Sequence, residues 1–75
     1  MNKKLVLQTF FDRNYPLRPD DVRNLCMEEY ARTSVYAYLL RLKRQKLLEQ
    51  TNVGTRIAYR ITIRGKERLE YFRRK

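Results

Sequence analysis

In the stretch TRIAYRITIR, residues 55 to 64, arginine recurs at positions 56, 60 and 64 between bulky apolar residues at 57, 59, 61 and 63. The guanidinium group is the most concentrated functional group of this chain. It is permanently charged, offers five N–H donors and matches phosphate oxygens or the edge of a guanine. Other chemistry is poorly supplied. There is no histidine and one cysteine, Cys26, and the acids cluster only as Asp20-Asp21 and Glu28-Glu29. No glycine-rich phosphate loop is present, so no reaction site is expected and the chain does not read as an enzyme. No metal-ligand spacing occurs, and neither a metal nor a cofactor is expected. Cys26 lacks a histidine to activate it and reads as a core residue.

The cations are unevenly placed. The chain of 75 residues has a net charge of +10 and a pI near 10.3. Met1 to Ala31 contains five basic and five acidic residues, whereas Arg32 to Lys75 contains thirteen basic and three acidic. The whole excess therefore lies in the second part; a high pI alone fits a solvated lysine-rich surface, and this segregation favours a polyanion-binding face. An apolar content of 43% fits one folded domain, residues 1–75, with a modest core. One cysteine forms no internal disulfide, no signal peptide is evident, and no apolar run reaches membrane-spanning length. The expected location is the cytoplasm.

The elements that hold these cations can be read from periodicity. Asn2 caps a first helix whose pairs Val6/Phe10 and Leu7/Phe11 face inward, and Tyr15-Pro16 ends it. PLRP is a short extended connection. A second helix starts near Pro19, with Asp20 and Asp21 at its positive end and Val22, Leu25 and Cys26 as its buried stripe. A third helix starts near Thr33 or Ser34, either of which is a capping residue. Its core side is Val35, Leu39 and Leu42, and its outer side Thr33, Tyr36, Ala37, Leu40, Arg41 and Arg44 has no acid. Leu47 and Leu48 lead into a hairpin that turns at Val53-Gly54-Thr55. On its second strand Ile57, Tyr59 and Ile61 alternate as the inward face. Thr62 caps a last helix with Leu69 and Phe72 inward, and Gly65 in its first turn costs about 1 kcal/mol relative to alanine.

This order, with SVYAYLLRLKRQKLLEQ, resembles the recognition helix and strand entry of winged helix-turn-helix regulators. The matching positions are Ser34, Val35, Leu39, Leu42 and Lys46-Leu47-Leu48. YRITIRGKERLE is similar to their strand-to-helix junction at Tyr59, Ile61, Thr62, Gly65 and Leu69. The resemblance is to the PadR, MarR and ArsR-like group and, in size, to compact regulators of archaeal plasmids and viruses. Lys46 stands where that pattern has glycine, which implies a less sharp helix end. The resemblance implies an α+β winged helix-turn-helix: three helices, a two-stranded wing and a C-terminal helix.

It also implies a sequence-specific double-stranded DNA-binding transcription regulator, for which a repressor is the reading adopted, the sign of regulation not being written in the sequence. The helix over about 33–45 enters the major groove, and the wing over about 48–61 lies on the backbone and minor groove. The implied helix contacts are Arg32, Thr33, Ser34, Tyr36, Ala37, Leu40, Arg41 and Arg44. The implied wing contacts are Asn52, Thr55, Arg56 and Arg60. Leu40 is open between groove contact, packing beneath the wing and a protein interface, and Arg56, Arg60 and Arg64 between DNA contact and solubility with protection of the strand edge. The rival functions are an RNA-binding winged helix and a protein-interaction module. The basic last helix repels its own copy, so a monomer or weak homodimer is expected, pairing on DNA through Leu5, Val6, Tyr71 and Phe72.

Overall fold

The computed structural model describes residues 2–74. Four helices and one antiparallel hairpin follow in the order α1 (Lys3–Arg13), α2 (Pro19–Cys26), α3 (Arg32–Arg44), β1 (Leu48–Val53), β2 (Arg56–Ile61) and α4 (Ile63–Arg73). Each helix start has a local cause. The Asn2 side chain accepts from the Leu5 backbone N–H, and Thr62 accepts from Gly65. Asp21 accepts from the Arg18 N–H at the start of α2, where Pro19 has no N–H to satisfy. Helix α3 begins at Arg32 with Ala31 as its cap residue, so neither Thr33 nor Ser34 caps it. Both are already in its first turn and exposed.

The core is one cluster. Val6, Leu7 and Phe10 of α1 meet Val22 and Met27, the α3 row Val35, Leu39 and Leu42, then Leu47, Leu48, Tyr59 and Leu69. Phe11 and Leu25 depart from their expected burial and lie on the surface, while Cys26 and Phe72 are half-buried at the core margin. Phe11 has another role: the Arg73 guanidinium sits 5.2 Å from its ring centre, and Arg73 also donates to Gln8 at 2.7 and 3.1 Å. These contacts tie α4 to α1. Val6 is only 1% exposed, so it is not available for pairing between copies, whereas Leu5 is on the surface.

The hairpin is anchored at its base and free at its end. Leu48 pairs with Ile61 and Val53 with Arg56, which leaves a two-residue turn, Gly54-Thr55, rather than three. Gly54 has φ +64, the left-handed value needed at the first position of such a tight loop. The extended connection supplies a third backbone partner. Leu17 donates to Tyr59 O at 2.9 Å and accepts from Tyr59 N at 2.8 Å. Strand β2 is therefore hydrogen-bonded on both sides at Tyr59. Beyond that point the hairpin leaves the helices, and Ile57 is 50% exposed instead of packing inward. Ala58, between two arginines in the sequence, is buried.

Two backbone positions fix how the hairpin leaves α3 and enters α4. Lys46 has φ +66, the conformation that glycine adopts most easily. Its N–H donates to Lys43 O at 2.9 Å, and the Leu47 N–H donates to Leu42 O at 3.0 Å. This is a complete Schellman ending, closed by two buried leucines, 42 and 47. The helix stops sharply without glycine, contrary to the expectation drawn from Lys46. Gly65 is required for a different reason. A Cβ there would lie 2.2 Å from Leu47 O and 2.7 Å from Ile61 Cγ1. Thr62 closes the same junction by donating from its hydroxyl to Lys46 O at 2.7 Å.

Candidate nucleic-acid interface

Helix α3 divides cleanly. Val35, Leu39 and Leu42 are fully buried. Arg32, Thr33, Ser34, Tyr36, Ala37, Leu40, Arg41 and Arg44 are all exposed. The helix contains no acidic residue, and Arg41, Lys43 and Arg44 lie in its last turn, where the helix dipole favours cations. Arg41 and Arg44 have no ion-pair partner among the described residues. Their charge is therefore available to an outside anion.

A groove of about 500 Å³ runs between α3 and β2. It is lined by Tyr36 and Leu40 of α3, Ile57 and Tyr59 of β2, and the charged Arg18, Asp20 and Arg56. Tyr36 and Leu40 are 45% and 37% exposed, so the groove presents aromatic and aliphatic surface to solvent. Thr55 lines the same groove from the hairpin turn. Thus Tyr36, Leu40, Thr55 and Arg56, named separately from the sequence, come together. Leu40 lines this groove together with the hairpin residues Ile57 and Tyr59.

The other two hairpin residues lie elsewhere. Asn52 shares a shallow depression with Lys43 and Lys46 at the C-terminal end of α3, where Lys43 Nζ donates to Gln50 at 3.0 Å. Arg60 lines a third depression with Tyr15, Arg64 and Lys66. It stands directly opposite Glu49 on β1 and forms an ion pair with it. Arg56 and Arg60 line different depressions, and Arg60 is already partly neutralised.

Arg32 is also engaged. Its Nε donates to Asp20 Oδ1 at 3.1 Å and its Nη2 to Asp20 Oδ2 at 2.7 Å. Asp20, followed by Tyr36, holds the Arg32 guanidinium above its ordinary pKa. Both partners are exposed enough for solvent to screen the pair strongly, so its net worth to folding is small. Arg18, Asp20 and Ile57 were not recognised as interface residues from the sequence. Arg18 reads there as part of the extended connection, Asp20 as part of a helix start, and Ile57 as part of an inward strand face. Only the meeting of α2, α3 and β2 puts them together.

Among the described residues no group of His, Cys, Asp or Glu has the geometry to hold a metal ion. No helix is long and apolar enough to cross a membrane. Burial raises the pKa of the Cys26 thiol, as do, to a lesser extent, nearby charges, while Thr9 acts in the other direction. Comparison of this chain with protein-family models, curated proteins and solved structures gave no match.

Proposed function

We propose that this chain is a winged helix-turn-helix, sequence-specific double-stranded DNA-binding transcription regulator acting as a repressor. The observation that carries the reading is the outer face of α3. It is exposed along its length, free of carboxylates, cationic at its C-terminal end and flanked by a projecting hairpin. A B-DNA major groove about 12 Å wide admits one helix. With α3 in that groove, the hairpin reaches the neighbouring backbone and minor groove. Arg41, Tyr36 and Ala37 then face base edges, and Arg44 and Arg56 face phosphates.

The groove between α3 and β2 suits a sugar–phosphate strand. Its lining combines the apolar surfaces of Tyr36, Leu40, Ile57 and Tyr59 with the cations Arg18 and Arg56 and with one carboxylate, Asp20, which Arg32 holds. Phosphate contacts set register and orientation, and base contacts set sequence. Arg56 is the stronger phosphate contact of the hairpin, because Glu49 competes for Arg60.

Footprinting on the DNA flanking the protein's own gene tests this directly, together with competition by random duplex, structured RNA and single strands. The expected result is a protected duplex segment that excess RNA does not displace. Preferential binding of structured RNA would replace the reading with an RNA-binding one. Absence of salt-sensitive binding to any nucleic acid would leave a protein-interaction module.

A further inference from the structure

Arg32 is the first residue of α3, where the helix dipole is positive and a cation is unfavourable. The position makes no sense for helix stability. Its orientation is nevertheless fixed by two hydrogen bonds from one edge of the guanidinium to Asp20, a residue of another helix. A planar guanidinium has two edges able to make paired bonds. Asp20 takes the Nε–Nη2 edge. Among the described residues the other edge, made by Nη1 and the second Nη2 hydrogen, makes no hydrogen bond of ordinary length; the Tyr36 hydroxyl lies close enough to act on the guanidinium, and the side chain is 63% exposed. Arg32 is thus an arginine whose outward edge is aimed by a carboxylate behind it.

We infer that Asp20 is a positioning residue that, with Tyr36 beside it, presents the exposed edge of Arg32 to a single guanine of the target duplex. The inference rests on the DNA-binding reading above. Guanine is the base whose major-groove edge carries two acceptors, O6 and N7, at the spacing of paired guanidinium donors. A phosphate would be served as well by an unheld cation, and a carboxylate beside it would weaken the contact. The pair therefore favours base reading over backbone attraction. Asp20 adds a second effect. As a negative charge on the rim of the α3–β2 groove, it repels DNA in general and lowers binding to unrelated sequence.

The test is selection of bound sites from a random duplex pool by the wild type, Asp20→Ala and Arg32→Lys, followed by sequencing. Lysine keeps the positive charge and loses the paired donors. The expected wild-type result is a guanine preference at one position of roughly ten- to a hundredfold, the range for a good paired contact. It should collapse at that position alone in both variants, with other positions retained. Asp20→Ala should also bind random duplex a few-fold more tightly. A guanine preference unaltered by both substitutions would overturn the inference, as would uniform weakening at all positions. A wild type without any duplex preference would overturn the DNA-regulator reading and this inference with it, and is distinguished by needing no variant. Melting curves check folding independently, and the exposed pair is expected to leave them little changed.

Discussion

Lys46→Gly should stabilise the protein. Lys46 occupies the left-handed region at φ +66 in a hydrogen-bonded helix ending. For a residue with a Cβ that conformation costs about 1–2 kcal/mol, and glycine adopts it freely. Glycine also gains freedom in the unfolded chain, which takes back part of the difference. The net expectation is about 0.5–1 kcal/mol. A domain of this size shifts by about 4–8 °C per kcal/mol, so the melting temperature should rise by roughly 2–8 °C. Circular dichroism on heating, with urea titration as a second probe, measures it. Lys46 is exposed and forms no ion pair among the described residues, so no such contact is lost against the gain. Lys46→Ala removes the same charge but keeps the Cβ, and separates backbone strain from charge repulsion. A Gly variant no more stable than the Ala variant would refute the argument.

Gly65→Ala should act in the opposite direction. The added Cβ meets a backbone carbonyl at 2.2 Å, so the junction must open, and a loss of about 2 kcal/mol or more is expected in the same urea titration. Arg41→Ala or Tyr36→Ala should reduce discrimination between target and random duplex by roughly 1–3 kcal/mol in competition assays. Arg56→Ala should weaken both about equally, and loss of sequence preference in that variant alone would reverse the roles of helix and hairpin. Sedimentation at micromolar concentration without DNA should show a monomer or weak dimer, since the core holds Val6 and half-buries Phe72. A tight dimer would refute this and would direct mutation first to Tyr71.

The sequence is most legible where periodicity and capping agree. Asn2 and Thr62 cap as their types require, and the Val35–Leu39–Leu42 row is buried as its spacing dictates. The exposed set on α3 follows from that row, because burying one side of a helix leaves the other outside. Legibility falls where local pattern competes with tertiary reach. Alternation along β2 is regular, but the helices cover only its base, so Ile57 emerges into solvent. Thr33 and Ser34 are good caps by type, yet α3 begins before them. Lys46 hides a glycine-like backbone that packing of Leu42 and Leu47 enforces. Cross-element pairs are harder still. Nothing in the spacing of Asp20 and Arg32, twelve residues apart, announces a paired contact between two helices. The Glu49–Arg60 pair becomes visible only once the hairpin register is known.

The salt dependence of duplex binding tests the central claim most directly. Fluorescence anisotropy of a labelled duplex, titrated from about 50 to 200 mM salt, reads it. If Arg18, Arg44, Arg56 and their neighbours neutralise about six phosphates, log K should fall against log salt with a slope near −5. The selected duplex should bind more tightly than a random one throughout. A flat response, or duplex affinity no greater than that of an uncharged control surface, would contradict a DNA-binding role for the acid-free face of α3 and the charge gathered around it.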